Sequence, residues 1–444
     1  MSTLQANASP SKRLFLEMFV RDLSLEDCIL DLVDNSIDSL VRSRNIKVSD
    51  ALLPAEGVGR NGGGGRLAII DVRYEPGKFR IWDNCGGISV KDAMEEVFRF
   101  GHSDNAVLGQ LGVYGIGLKR AIFKIGKDIT IESKTSVEGF SVHIAVEEWA
   151  KQESWTVPLT VTAGTGNVEN AGTSITVKSF REEVAARLRS GTFEGHLSEM
   201  IARTYSLFLN RYVAVVLNGR KIQPKLVNFG FSKDVNVGKE ELTEGNVKVT
   251  IYAGLAARRE GEWQAAEAGW YVACNGRLVV AEDKTELTGW GMGMPLFVPK
   301  YRGFVGLVFF YSPNPLELPW TTTKRGLNQE SFVFQRVKTR MAAIGRPVLS
   351  FLNEMYSSEE KERGPQRGVA EGVEALDVRE MASRPQAPFR ISAIPVGGDI
   401  VRVQYDAKWD ELERVRKSLR KSRMPASKVG RYAFDYYLRK ECPQ

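Results

Sequence analysis

Three short clusters of acidic residues and glycines within the first 120 residues constrain this chain more than any other feature. They are Asp31-x-x-Asp34-Asn35, Asp83-x-x-Gly86-Gly87 and Gly112-x-x-Gly115-x-Gly117-x-Lys119, and a Gly172-Thr173 pair follows them. Each cluster alone is a weak signal. Their fixed order indicates one site at which a helix, a strand end and a glycine-rich loop meet.

The first cluster lies in a segment, 24–44, that predicts an amphipathic helix. Asp31, Asn35 and Asp38 recur at i, i+4 and i+7, so they share one face of that helix. The alternative interpretation is a solvated helix face without a binding role. Two features favour a binding role for these side chains instead. The opposite side of the helix carries an apolar stripe, and the Asp34-Asn35 pair is unfavourable inside a helix.

The chemistry of this helix face suits a metal-bound phosphate. Amide and carboxylate oxygens are ligands for magnesium, which keeps several waters and bridges to phosphate oxygens. A carboxylate one turn away can orient or deprotonate an attacking water.

The second cluster follows a predicted hairpin of strands at 67–74 and 78–83. A buried carboxylate at Asp83 can accept a hydrogen bond from an adenine amino group, and the two glycines let the backbone pass close to a flat base. The alternative is an ordinary Asp-Asn-x-Gly turn.

The third cluster leads into a predicted helix at 116–125. Unpaired N–H groups at a helix N-terminus bind phosphate, and glycines permit the close approach. Gly101 and Gly109, which precede the cluster, are the hinges expected of a lid.

The order of helix, hairpin, helix and further strands predicts an α+β sandwich. The further strands are expected in 128–135, 139–149 and 173–180. We assign four regions: 12–182 as a first domain, 183–359 as a second α+β domain, 360–397 as a linker and 398–444 as a small basic module. The second domain is expected to contain a helix at 187–209, single strands at 212–219, 247–255, 270–280 and 304–312, and a long helix at 330–359. The last module is expected to contain a strand at 399–406 and helices at 407–422 and after Pro425.

Bulk composition limits the classes of protein. The chain has 444 residues, four dispersed cysteines and three dispersed histidines, so a cysteine- or histidine-based metal site is not expected. No apolar run is long enough for a transmembrane helix, and the N-terminal segment lacks the apolar core of a signal peptide. We expect a cytoplasmic protein with reduced thiols and no membrane partner.

The net charge of +7 is concentrated at the C-terminal end. Residues 401–444 hold twelve Lys/Arg and six Asp/Glu and therefore carry +6. A nucleic-acid or acidic partner would be attracted there. The alternative is a solvated basic helix face.

The four motifs together resemble those of the GHKL ATPases, the class of gyrase B, MutL, the large heat-shock chaperone, sensor kinases and MORC proteins. LVDNSIDSL resembles that family's N-box, DNCGGI its second box, GVYGIGLKRA its lid-closing glycine box and Gly172-Thr173 its late box. The resemblance covers residues 12–182. It implies the Bergerat fold, with ATP and Mg²⁺ bound between helices and sheet.

The resemblance also implies roles for individual residues. Asn35 would ligate magnesium, Asp83 would bind the adenine amino group and Thr173 would help to hold the adenine-side water. The phosphate-side residues would be Gly112, Gly115, Gly117 and Lys119, and Gly87 belongs to the adenine-side box. Asp31 stands where the family has its catalytic glutamate, and the shorter side chain favours slow hydrolysis.

The region 183–359 resembles the transducer domain of the gyrase, MutL and MORC branch, with the MORC proteins most similar. That domain sends a lysine to the γ-phosphate, and Lys324 in TTTKRG is the matching residue. Such a cation would stabilise charge during phosphoryl transfer. The alternative is a basic surface turn.

These resemblances predict a MORC-like ATP hydrolase that acts as an ATP-gated, homodimerising clamp or switch, with nucleic acid held through residues 401–444 or with a protein partner not identified by sequence. Two alternatives stay open. One is a nucleotide-sensing module with little hydrolysis, which the short Asp31 favours. The other is a client-binding chaperone, which would need a broad exposed apolar surface.

Overall fold

The computed structural model describes residues 11–19, 21, 23–52, 67–99, 111, 115–356, 370, 372–392, 407–419 and 424–442. The chain forms two compact units, Met1–Ile394 and Pro395–Gln444. The expected α+β class is confirmed, because large sheets and packed helices occur together in the first unit.

The first sheet has eight strands in the order β5-β4-β3-β6-β2-β1-β7-β8. The strands are β1 (Ala68–Glu75), β2 (Lys78–Asp83), β3 (Gly126–Lys134), β4 (Glu138–Ala145), β5 (Leu159–Ala163), β6 (Gly172–Phe180), β7 (Val213–Leu217) and β8 (Arg220–Lys221). All neighbours are antiparallel except β1 and β7, which are parallel. Alternate side chains of β1, at Ala68, Ile70 and Val72, are fully buried, as the period-two pattern of a half-buried strand requires.

Two helices place the site residues beside this sheet. They are α1 (Leu25–Ser43) and α2 (Gly117–Ile125), which pack against each other. The N-cap of α1 is Ser24, whose hydroxyl oxygen accepts the N–H of Asp27 at 3.1 Å. Ile29, Val33 and Ile37, spaced at i, i+4 and i+8, are completely buried and anchor α1 in the core.

Among the described residues of the first unit, the other α-helices with at least five residues are α3 (Val146–Lys151), α4 (Glu182–Leu188), α5 (Phe193–Thr204), α6 (Phe332–Tyr356) and α7 (Val378–Ala382). Short turns of helix occur at Lys12–Leu14 and Val90–Asp92, and each continues as a π-helical turn, Phe15–Phe19 and Ala93–Val97. Short 3-10 turns, such as Val48–Leu52, connect other elements.

A second sheet has the order β10-β11-β14-β12-β13. Its strands are β10 (Gly238–Glu244), β11 (Val247–Leu255), β12 (Gly269–Cys274), β13 (Arg277–Asp283) and β14 (Phe304–Tyr311). The long helix α6 packs on β11, β14 and β10. Trp270, Phe304 and Trp290 form edge-to-face ring contacts in the core beneath it.

A small third sheet pairs β9 (Asn228–Phe231) with β15 (Glu374–Asp377). Both β15 and α7 fall within the range 360–397 that the sequence assigned to a linker. This part of the range therefore pairs and packs with the first unit.

Three expected elements were wrong in detail. The segment 270–280 is a hairpin rather than one strand, because Asn275 and Gly276 adopt positive φ values of 47° and 80° and form a tight turn. The segment 139–149 is a strand followed by α3, and two acidic residues favour the first turn of that helix. The expected helix 187–209 is two helices, α4 and α5, separated at a Ser-Gly-Thr sequence.

The second unit contains two described helices, α8 (Trp409–Ser418) and α9 (Ala426–Glu441), in the segments where helices were expected. They pack against each other. The strand expected at 399–406 lies outside the described residues.

Candidate functional site

The helix α1 carries the acidic residues of the first cluster, and nearly all of it is buried. Asp31, Asp34 and Asp38 are exposed by 8%, 0% and 7%. Asp38 accepts the backbone N–H of Leu111 at 2.5 Å. The interpretation of this face as a solvated helix surface is therefore wrong, because burial of carboxylates requires partners.

Asp34 is the centre of a buried polar cluster that joins distant parts of the chain. Its Oδ1 accepts the hydroxyl of Tyr205 at 2.7 Å and Nε of Arg277 at 3.0 Å, and its Oδ2 accepts Nζ of Lys324 at 2.8 Å. Burial raises the pKa of Asp34, but the positive charges of Arg277 and Lys324 outweigh it and lower the pKa overall. Asp34 is thus held as a carboxylate.

Lys324 lies in a turn between the paired residues Trp320 and Leu327. Its backbone is left-handed, with φ of 56°, and its N–H donates to the carbonyl of Thr321 at 2.8 Å. The neighbouring Arg325 forms an ion pair with Asp27 on α1. Two consecutive basic side chains therefore attach this turn to α1, and the alternative of a basic surface turn is wrong for Lys324, which is only 8% exposed.

Asp31 faces the N-terminal end of α2. Its Oδ2 lies 3.7 Å from Nη2 of Arg120, and a Cβ at position 117 would lie 3.3 Å from the same oxygen. Burial raises the pKa of Asp31, while Lys324 and Arg120 oppose that rise. A buried carboxylate with a raised pKa beside a helix N-terminus is suited to proton transfer.

Asn35 follows Asp34 and is only partly buried. Its Nδ2 is buried and has no hydrogen-bond partner among the described residues. An unpaired buried donor costs about 1–3 kcal/mol, and a bound acceptor at this position would remove that cost.

Asn35 would hold magnesium through its amide oxygen, which is the kind of ligand that this ion takes. No group of three or more His, Cys, Asp or Glu side chains that could hold a metal occurs in the described part of the chain. Magnesium does not need one, because it is commonly held by one or two protein oxygens, substrate phosphates and water.

Asp83 ends β2 and is 4% exposed. Oδ2 accepts the hydroxyl of Ser36 at 2.7 Å, and Oδ1 accepts the backbone N–H of Cys85 at 2.9 Å and of Thr173 at 3.4 Å. Burial raises the pKa of Asp83 in spite of these hydrogen bonds. The contacts link the first, second and late motifs around one carboxylate.

The late motif packs directly against the end of β2. A Cβ at Gly172 would lie 1.8 Å from the carbonyl oxygen of Asp83, so only glycine fits without a backbone shift. The hydroxyls of Thr173 and Ser133 are 2.8 Å apart and hydrogen-bonded. Thr173 is therefore fixed beside Asp83, and its role toward an adenine-side water stays a prediction.

The structure describes some glycines of the second and third motifs but not all of them. Gly87 has φ of 70°, and a Cβ there would lie 2.2 Å from the carbonyl oxygen of Lys134. Gly115 has φ of 62°, and Gly117 begins α2. Gly112 and the proposed hinges at 101 and 109 lie outside the described residues.

Lys119 lies in the first turn and a half of α2 and is 3% exposed. Its Nζ donates to the carbonyls of Val97 at 2.7 Å and Arg99 at 2.5 Å. Burial lowers the pKa of Lys119 to about 8, and Glu96 opposes this effect. In this arrangement the lysine holds segment 90–99 to α2, and its role toward phosphate stays a prediction.

Sequence reasoning missed three residues of this site. Arg277 and Tyr205 contact Asp34, and Ser36 contacts Asp83. Ser36 lies inside the first motif and could have been noticed as a polar residue in the apolar stripe of α1, between Leu32 and Leu40. Nothing local marks Arg277 or Tyr205, because their contacts to Asp34 cross 243 and 171 residues of chain.

Comparison with known proteins agrees with the geometry of the first sheet and its helices. Residues 23–173 match the family described as "Histidine kinase-, DNA gyrase B-, and HSP90-like ATPase". A search of curated proteins found no match. Among the residues described by the structure, no helix has the length and apolar character needed to cross a membrane. Residues 23–173 therefore carry an ATP-binding domain of the GHKL type, the superfamily that the four sequence motifs resemble.

Proposed function

We propose that this protein is a MORC-like GHKL ATPase that works as an ATP-gated, homodimerising clamp or switch and hydrolyses ATP slowly with Mg²⁺. The observation that carries the proposal is the 2.8 Å ion pair between Lys324 and Asp34. It brings a lysine from a region beyond the matched domain to the residue beside Asn35. A cation in this position can respond to the terminal phosphate of a bound nucleotide.

The proposed roles combine the sequence motifs with the positions of the described residues. Asp83 binds the adenine amino group with the help of Thr173 and Gly87, and Asn35 holds the magnesium ion. The phosphates are cradled by Gly112, Gly115 and Gly117, with Lys119 nearby. Magnesium, when bound, neutralises and orients the phosphates.

Asp31 is the proposed general base. It is buried, its pKa is raised, and it lies one helical turn from Asn35. A carboxylate in that position accepts a proton from an attacking water more readily than a solvated one would. Because aspartate reaches less far than glutamate, slow turnover is expected.

The proposed partners are a second copy of the chain and nucleic acid. Members of this superfamily commonly dimerise when ATP binds. Residues 401–444 carry a charge of +6. On α9, Tyr436 and Tyr437 are each 60% exposed among several basic side chains, and exposed rings next to lysine and arginine suit single-stranded nucleic acid.

A second candidate function is a nucleotide-sensing module with little hydrolysis. The specific observation in its favour is Arg120, whose guanidinium lies 3.7 Å from Asp31 and competes for the carboxylate that would act on water. Asp31→Glu separates the two functions. A large gain in hydrolysis would mean that the native side chain is too short for catalysis.

The test is steady-state ATP hydrolysis by the full chain in Mg²⁺, with and without DNA. The wild type is compared with Asn35→Ala and with Asn246→Ala, an exposed asparagine in the turn between β10 and β11 of the second sheet. Slow hydrolysis that is lost only in Asn35→Ala supports the proposal, and stimulation by DNA supports the clamp. No magnesium-dependent ATP binding by the wild type would overturn it.

A further inference from the structure

Arg277 is a buried cation to which neither the sequence motifs nor the proposed catalytic roles give a task. It begins β13 and is 3% exposed. Its Nε donates to Oδ1 of Asp34 at 3.0 Å, and its Nη1 donates to the backbone carbonyl of Lys324 at 2.6 Å. One guanidinium therefore bonds both the carboxylate that accepts the ammonium of Lys324 and the backbone carbonyl of Lys324.

The two cations use different oxygens of the same carboxylate. Arg277 and Tyr205 donate to Oδ1 of Asp34, whereas Lys324 donates to Oδ2. If the ammonium of Lys324 moves away, both bonds to Oδ1 can stay. Asp34 then still has one positive charge beside it, so its burial does not leave an uncompensated charge.

The backbone and the side chain of Lys324 are held differently. The backbone is fixed by Arg277 and by the N–H bond to Thr321. Among the described residues, the ammonium donates to Asp34 alone. A long side chain on a fixed backbone can exchange one acceptor for another by rotamer changes, without movement of the turn.

The energetic consequence depends on Arg277. With Arg277 present, departure of Lys324 costs one charge-assisted hydrogen bond at Asp34. Without Arg277, Lys324 would be the only cation among the described residues that is bonded to this completely buried carboxylate. Its departure would then leave a buried charge unpaired, and the lysine would stay where it is.

We propose that Arg277 is a positioning residue that neutralises Asp34, so that Lys324 can leave Asp34 and bind the terminal phosphate of ATP. This inference rests on the proposed function, because it takes Lys324 as the sensor of that phosphate. Arg277 itself does not touch the nucleotide. It determines how strongly the protein distinguishes ATP from ADP.

The test measures the affinities of the full chain for ADP and for a non-hydrolysable ATP analogue by calorimetry in Mg²⁺. The variants are Arg277→Gln, the charge-balanced double variant Asp34→Asn/Arg277→Gln, and Lys324→Met as the reference for a lost sensor. Arg340→Gln is the matched control, because Arg340 forms an exposed ion pair with Glu240. Circular dichroism confirms that each variant is folded.

The wild type is expected to bind the ATP analogue more tightly than ADP. Arg277→Gln is expected to lower this ratio tenfold or more, to the value of Lys324→Met. The double variant should restore the ratio to within threefold of the wild type, because a neutral amide at position 34 no longer retains Lys324. Restoration in the double variant is a result that a merely structural role of Arg277 would not give.

Two results would overturn this inference but leave the proposed function standing. One is an affinity ratio in Arg277→Gln equal to that of the wild type, and the other is a ratio in the double variant as low as that of Arg277→Gln. If Arg277→Gln does not fold, Arg277→Lys replaces it, because a lysine keeps the charge at Asp34 and should keep the ratio within threefold. A larger loss in folded Arg277→Lys would also overturn it. Failure of the wild type to bind ATP, or an unchanged ratio in Lys324→Met, would instead remove the proposed function.

Discussion

Removal of Asp34 should destabilise the fold far more than removal of Lys324. Asparagine at position 34 would leave the side chains of Arg277 and Lys324, which are 4% and 9% exposed, without their buried counter-charge. Breaking a buried ion pair in this way costs about 3–5 kcal/mol. Lys324→Met leaves Asp34 bonded to Arg277 and Tyr205, so it removes one hydrogen bond to a charged group, about 1.5–3 kcal/mol at most.

The assay is urea denaturation of the full chain without nucleotide, followed by far-ultraviolet circular dichroism. The midpoints are compared where the slope of the transition is unchanged, because the slope reports the surface exposed on unfolding. Glu240→Gln is the control, since it breaks the partly exposed pair with Arg340 and should cost no more than about 1 kcal/mol. Equal losses for Asp34→Asn and Lys324→Met, or a loss below about 1 kcal/mol for Asp34→Asn, would refute the reasoning.

Three further predictions concern other parts of the molecule. Gly172→Ala should destabilise the fold by about 1–3 kcal/mol, because its Cβ would meet the carbonyl of Asp83. Gly195→Ala lies inside α5 with no atom near its Cβ and should stabilise the fold by about 0.5–1 kcal/mol. Urea midpoints of both variants equal to that of the wild type would contradict these two predictions. The pKa of Lys119 is about 8 in the folded state and 10.5 ordinarily, so between these pH values the unfolded chain binds more protons than the folded one. The free energy of unfolding should therefore rise by about 3 kcal/mol as the pH rises through this range. Lys119→Met should flatten that rise in urea titrations, and an unchanged pH profile would contradict the assignment. Deletion of residues 401–444 should weaken single-stranded DNA binding in fluorescence anisotropy and reduce its dependence on salt, whereas an unaltered salt slope would exclude this segment as the binding site.

Local elements of the fold could be predicted from the sequence because their signals are local. The apolar spacing and Ser24 cap of α1 predicted a helix whose observed bounds differ by one residue at each end. The alternation in β1 and β2 predicted the hairpin that places Asp83. The turn at Asn275-Gly276 was also readable, since this pair favours positive φ at both residues, but it was passed over within an apolar run.

The candidate site was predictable only in part, because its contacts join segments that are distant in sequence. The pairing of Lys324 with Asp34 spans 290 residues, and only the resemblance to a transducer domain suggested that the lysine approaches α1. Arg277 had no such signal. A buried guanidinium that bonds a carboxylate and a carbonyl looks, in sequence, like any arginine that follows a turn.

The central claim is that bound ATP changes the assembly of this protein through Lys324. The most direct measurement is the molar mass of the full chain by light scattering, without nucleotide, with ADP and with a non-hydrolysable ATP analogue in Mg²⁺. The account predicts a doubling of mass with the ATP analogue alone, and no doubling in Lys324→Met. One unchanged mass for the wild type under all three conditions would contradict it.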